Sequence, residues 1–135
     1  MRRRVLVVED DDILRWLMTE AVTHLGHDVI ECANADDALE KFSGDQRLAL
    51  VITDVRMPGH MDGIDLAKAI WAACPQLPVI IVSGHMAPAP GFLPANARFI
   101  SKPCTLDELS RTMNELLCVK RSGQNGPRTP TGGRP

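Results

Sequence analysis

Three aliphatic runs constrain this chain more than any other feature. VLVV (Val5–Val8), LALVIT (Leu48–Thr53) and PVIIVS (Pro78–Ser83) stay apolar along their length instead of alternating with polar residues. A strand with one wet face alternates; a strand without alternation is covered on both faces. Between these runs lie segments of helical spacing. Leu14, Leu17, Met18, Ala21, Val22 and Leu25 share one helix face, and Gly26 stands where that helix would stop. Asn34 is placed to cap a helix with Ala35, Ala38, Leu39 and Phe42 turned inward. A third helix carries Ile64, Ala67, Ala69, Ile70 and Ala73 and ends before Pro75. A last one carries Leu106, Leu109, Met113, Leu116 and Leu117, with Thr105 and Glu108 spaced as a capping box. DVIECA (Asp28–Ala33) and RFIS (Arg98–Ser101) read as two short strands.

Doubly covered strands separated by amphipathic helices predict an α/β fold, a doubly wound parallel sheet of five strands. One helix is missing from the alternation. Between Ser83 and Arg98 the chain reads GHMAPAPGFLPANA, with Pro88, Pro90 and Pro94. Proline inside a helix removes a donor and clashes with the preceding turn. The fourth helix is therefore expected to be shortened or replaced by a Pro-rich loop.

At 135 residues and 44% hydrophobic, the chain suits one core. Residues 1–121 are read as that domain, and 122–135 (SGQNGPRTPTGGRP) as a disordered Gly/Pro-rich tail. Lys120, Arg121, Arg128 and Arg134 make the C-terminal segment basic, yet the net charge is −2 and Tyr is absent. That balance speaks against nucleic acid as a partner. The apolar run after the opening arginines is too short for a signal peptide, and none is long enough to span a membrane. Cys32, Cys74, Cys104 and Cys118 fit no zinc or redox spacing, so a reduced, cytoplasmic protein is expected.

In open parallel sheets, ligands bind beyond the carboxyl ends of the strands. The first strand delivers Glu9 and Asp10 there, the third Asp54, the fourth Ser83 and the fifth Lys102. Carboxylates packed together in a dry site need a counter-charge. A hard divalent cation supplies it, and Mg²⁺ commonly binds through one or two carboxylates plus phosphate oxygens. Asp54 is then a candidate nucleophile for phosphoryl transfer, with Lys102 and Ser83 placed to hold phosphoryl oxygens. Acids at a helix start also suit the helix dipole, which accounts for Asp11 and Asp12 but not for Asp54, Ser83 and Lys102 at other strand ends.

The stretches VVED, VITDVRMPGHMDG, IIVSGH and FISKP, in this order from about Arg3 to Cys118, resemble the receiver domain of two-component response regulators. The resemblance implies a (βα)5 fold of strand order 2-1-3-4-5. The 17 residues after Cys118 are too few and too polar for an output domain, so a single-domain, stand-alone regulator of the chemotaxis-regulator kind is expected. The resemblance further implies phosphoryl transfer to Asp54 from a sensor histidine kinase or histidine phosphotransfer protein, with Mg²⁺ as cofactor. By position, Glu9, Asp10, Asp54 and the backbone carbonyl of Arg56 match the metal ligands. Ser83 matches the switch hydroxyl, Phe99 the switch aromatic, and the Lys102–Pro103 bond would be cis. Leu14, Arg15, Met18 and the loop near Cys104 match the kinase contact. The chain departs from the family in MPGHMDG, one residue longer than M-P-x-M-D-G, with His60 at the tip, and in its proline-rich fourth connection.

The resemblance implies a phosphoacceptor regulator rather than an enzyme. The alternative of another class is an interaction module that binds a kinase or other signalling partner regardless of phosphorylation. An aspartyl phosphatase of the haloacid type is matched only by the letters Asp10-x-Asp12, and a flavodoxin-type phosphate loop is excluded by the acids after the first strand. His60 and His85 are read as solvated loop residues, and Trp16 and Trp71 as boundary positions.

Overall fold

A computed structural model describes residues 3–44, 47–57, 59–84 and 93–125, with backbone only for 44 and 118–125. The elements in chain order are β1 (Arg4–Val8), α1 (Asp12–His24), β2 (Asp28–Cys32), α2 (Ala35–Gly44), β3 (Leu48–Asp54), α3 (Gly63–Ala73), β4 (Val79–Ser83), β5 (Ala97–Ser101) and α4 (Leu106–Asn125). The five strands are all parallel and lie in the order β2-β1-β3-β4-β5. This is the expected α/β fold and strand order.

The missing polar alternation has a direct cause. Successive side chains of a strand point to opposite faces, and here each face meets its own apolar layer. Val5, Val7, Ile52, Ile80 and Val82 pack with Met18 and Val22 of α1 and with Leu109, Met113 and Leu116 of α4. Leu6, Val8, Val51, Val79 and Ile81 pack on the other side with Ala35 and Ala38 of α2 and with Leu66, Ala67 and Ile70 of α3. Every residue from Val5 to Val8 is fully buried.

The helix ends follow local chemistry. Asp11 caps α1, its side chain accepting from the N–H groups of Ile13 and Leu14. Gly26, at φ +88°, closes the same helix. The Gly26 N–H reaches the Thr23 carbonyl and the His27 N–H reaches that of Val22, the paired bonds of a Schellman end. Asn34 Oδ1 accepts from the Asp37 N–H at 2.8 Å ahead of α2. Asp62 and Asp65 form a reciprocal capping box at α3.

Several expected boundaries move by a residue: β1 begins at Arg4, β2 stops at Cys32 and β5 begins at Ala97. The larger difference is at α4, which runs to Asn125. The backbone of 122–125 is therefore helical, although the tail was expected to start at 122. Residues 126–135 of that tail lie outside the described residues. So do residues 85–92, most of the proline-rich segment and with it His85; the described residues beside it, Gly84 and 93–96, are not helical.

Candidate functional site

The carboxyl edge of the sheet gathers the charged residues. The Glu9 N–H donates to the Cys32 carbonyl at 3.0 Å, extending the β1–β2 ladder one residue past β1. That bond holds the Glu9 side chain inward, where it is 1% exposed. Its Oε2 accepts from the Asp11 N–H at 3.1 Å and its Oε1 lies 3.2 Å from Lys102 Nζ. Asp54, the last residue of β3, is buried too. Its Oδ1 accepts from the Val55 N–H at 2.8 Å, and its Oδ2 lies 3.2 Å from Lys102 Nζ. One ammonium thus pairs with two buried carboxylates.

Ser83 is buried at the end of β4 opposite Ser101, and its carbonyl accepts from the Lys102 N–H at 2.9 Å. The Lys102–Pro103 peptide bond is cis, as expected. Asp10 is exposed beside this group. One carboxylate oxygen each from Glu9, Asp10 and Asp54 lie within 4.8 Å of one another. Arg56 is exposed on the β3–α3 loop two residues past Asp54. Phe99 is not in the cluster; it is half-buried on β5 and packs against the layer of α2 and α3. His60 and His24 are exposed.

Burial pushes the Glu9 carboxyl up to about 7, and the nearby Asp54 charge adds to the shift; the Asp11 amide and Lys102 oppose it without cancelling it. Burial also works against the charge on Lys102, but Glu9 and Asp54 together outweigh it and hold the ammonium above the ordinary lysine value. The site is thus short of positive charge. Its donor set is all carboxylate oxygen, and such a set suits a hard divalent cation of the Mg²⁺ type.

Two contributors, Thr53 and Gly63, carried no role in the sequence reading, and a third, Arg15, was placed there only at the kinase contact. Thr53 donates its hydroxyl to the Asp54 carbonyl at 2.8 Å from a fully buried position. Gly63 donates its N–H to the Val55 carbonyl at 2.8 Å, and a side chain there would collide with the Asp54 carbonyl. The Asp-Gly step and the Asp62-x-x-Asp65 spacing were the available signals. Arg15 donates to the Glu9 carbonyl at 2.8 Å and pairs with Asp12 at 2.7 Å and Glu31 at 3.4 Å. Only the i,i+3 spacing to Asp12 is visible in sequence.

Beside Lys102 a groove of about 480 Å³ runs between α1 and the start of α4, lined by Leu14, Leu17, Met18, Pro103, Cys104 and Leu106 among others. Ile13 and Trp16 of α1 stand exposed at 72% and 58%. Trp71, in contrast, packs partly buried against the α2–α3 layer. No helix among the described residues is long and apolar enough to cross a membrane.

Residues 5–114 match the family described as response regulator receiver domain. The chain is 30% identical over 118 residues to the response regulator receiver protein CpdR of Brucella abortus (strain 2308), covering 85% of this chain and 97% of that protein. It is 36% identical over 119 residues to the sensor kinase CckA of the same organism, covering 84% of this chain but 12% of the kinase. A crystal structure of a response regulator receiver protein from Sinorhizobium medicae WSM419 superposes with a TM-score of 0.82 at 25% identity, covering 88% of this chain and 97% of that one.

Proposed function

The chain belongs to the response regulator receiver domain family, and from that premise we propose that Asp54 accepts a phosphoryl group from a phosphohistidine. The observation that carries this reading is the placing of Asp54: buried, at the end of β3, with Lys102 Nζ 3.2 Å from one oxygen and Glu9 and Asp10 close by. The Val55 N–H and Lys102 fix the plane of the carboxylate, so its orientation is set before a donor arrives. In the transfer, an Asp54 oxygen forms the new bond to phosphorus. The P–N bond of the phosphohistidine breaks, and the imidazole nitrogen keeps the electron pair and takes a proton.

Glu9, Asp10, Asp54 and the backbone carbonyl of Arg56 are the residues that hold Mg²⁺ in this reading. When bound, Mg²⁺ supplies positive charge against the phosphoryl oxygens. Lys102 neutralises Asp54 in the resting state and holds a phosphoryl oxygen afterwards. Ser83 donates its hydroxyl to another. Ser83 moving toward the phosphoryl group and Phe99 turning inward then shift a two-state surface around β4, β5 and α4. The donor is a sensor histidine kinase or histidine phosphotransfer protein, docked on Leu14, Arg15, Met18 and the loop at Cys104. This reading goes with action in the cytoplasm.

Intact mass spectrometry after incubation with acetyl phosphate tests the assignment. One added phosphoryl group is expected with Mg²⁺, none with EDTA, and none in Asp54→Asn. Retention of the gain in Asp54→Asn overturns it. So does the absence of any gain from acetyl phosphate and from a panel of phosphorylated kinases.

A further inference from the structure

The β3–α3 loop carries one residue more than the family motif, and that extra length meets α2. Asp36 lies in the first turn of α2 and is exposed. The cap of that helix is served by Asn34, whose Oδ1 takes the Asp37 N–H. The Asp36 carboxylate instead reaches the loop, where its Oδ2 accepts from the His60 N–H at 3.1 Å, across 24 residues of sequence. Gly59 lies against the same oxygen: a Cβ at that position would sit 2.6 Å from Asp36 Oδ2. Gly59 also adopts φ +109°, a conformation L side chains rarely take. The backbone conformation favours glycine at this position, and an added Cβ would also push the exposed Asp36 carboxylate away from the loop.

The loop is also held near its two ends. The Val55 N–H bonds to Asp54 Oδ1, the Gly63 N–H bonds to the Val55 carbonyl, and Asp62 caps α3. Arg56 lies between the Asp54 end and the Asp36 contact.

We propose that Asp36 is a positioning residue for the site: by accepting the His60 N–H beside Gly59, it holds the lengthened loop, and with it the backbone of Arg56 two residues past Asp54, so that the Arg56 carbonyl can serve the Glu9, Asp10 and Asp54 cluster. The proposal rests on reading that cluster as a Mg²⁺ site. The contact uses the backbone of residue 60, so the imidazole is dispensable and His60→Ala should behave as wild type. Residues that fix metal ligands without touching the metal typically change affinity by about 10- to 100-fold when removed. Asp36 acts through a solvent-exposed bond, so the lower end applies.

The test is calorimetric titration with Mg²⁺ alone, together with amide hydrogen exchange at His60 in the metal-free protein. Asp36→Ala should bind Mg²⁺ roughly tenfold more weakly and exchange the His60 amide faster. Asp36→Asn keeps an acceptor oxygen and should restore both. Asp37→Ala, which removes the same charge one residue along the helix, should change neither. Wild-type affinity in Asp36→Ala overturns the proposal. Equal weakening in Asp36→Asn or Asp37→Ala also overturns it, because the effect is then one of charge rather than position. Unchanged His60 exchange in Asp36→Ala overturns the contact itself. A wild-type protein that binds no Mg²⁺ overturns the underlying site reading, an outcome distinct from the others.

Discussion

Gly63→Ala is the substitution whose effect the structure defines most sharply. Gly63 opens α3 and is buried directly behind Asp54. A Cβ there would overlap the Asp54 carbonyl oxygen, lie 2.7 Å from its carbon and 3.0 Å from Thr53 Oγ1. Non-bonded heavy atoms pack at about 3.5–4.0 Å, so relieving the overlap with the oxygen requires the two backbones to part by more than ~1 Å. The strand cannot yield easily, since β3 is paired with β1 on one side and β4 on the other. The start of α3 has to move instead, and the 2.8 Å bond from Gly63 N–H to the Val55 carbonyl stretches. Alanine would otherwise favour a helix by about 0.5–1 kcal/mol. Overpacking costs about 1–3 kcal/mol and the weakened bond about 1 kcal/mol. The net loss is about 2–3 kcal/mol, or roughly 10 °C in Tm for a domain of this size. Thermal unfolding by circular dichroism measures it. The control is Gly26→Ala, which has a positive φ but nothing within 4 Å of the added Cβ; it should cost about 1–2 kcal/mol and leave phosphoryl acceptance unchanged. In Gly63→Ala the displaced start of α3 disturbs the β3–α3 loop that follows Asp54, and acceptance from acetyl phosphate should slow by roughly 10- to 100-fold, measured well below Tm. A Tm within about 2 °C of wild type would refute the steric argument, because overlap with a fixed backbone cannot be that cheap.

Lys102→Met should leave Glu9 and Asp54 without their cation; with the lysine side chain 23% exposed, about 2 kcal/mol should be lost without metal. Mg²⁺ should then stabilise the variant more than the wild type in urea unfolding, and equal stabilisation would contradict the role of Lys102 as counter-charge. Arg15→Ala loses the bond to the Glu9 carbonyl and should cost about 1–2 kcal/mol, whereas the pair with Asp12, which is 89% exposed, adds little. Arg15→Lys should not restore the loss, since an ammonium lacks the fork that serves several acceptors; full recovery by lysine in denaturant titration would show that charge alone matters. Burial, with Arg3 nearby, holds His27 below the usual histidine value, and its Nδ1 accepts the Arg3 N–H. The unfolded chain therefore takes up this proton first. The contribution of His27 is complete above the ordinary histidine value and is lost as pH falls through the lowered one. His27→Gln should flatten the acid side of the Tm–pH curve, and an unchanged slope there would reject the assignment.

The layers of the fold were legible because both faces of the sheet are dry. Val5–Val8 and Val79–Ser83 lack polar alternation because helices cover both sides of these strands. The carboxylates and Lys102 were legible because each follows an apolar run directly, and an acid or ammonium at that place has little to do for packing. What remained hidden depends on distance across space. Arg15 lies six positions from Glu9, yet it binds that residue's backbone, which carries no residue-type signal. Asp36 reads as a helix-start acid, and nothing in its neighbourhood of sequence points 24 residues ahead to His60. The end of α4 was misplaced for another reason. Ser122 and Gly123 are poor helix formers, but propensity is weak beside a helix already propagating from a packed face. Phe99 was found as a strand residue, while its packing toward the α2–α3 layer depends on strand parity that a short run such as RFIS leaves open.

Strand order also gives Lys102 a mechanical meaning. In the sequence β2-β1-β3-β4-β5 the lysine leaves the outermost strand and its ammonium rests between residues of β3 and the turn after β1. Neighbouring strands are rotated by roughly 20–25°, so the ends of β1 and β5 splay apart like the ribs of a fan. Lys102 acts as a tie across those ribs, anchored through its own N–H to the end of β4. A change of charge at Asp54 changes the pull on that tie, and Lys102 joins it directly to β5, beyond which no further strand is paired among the described residues.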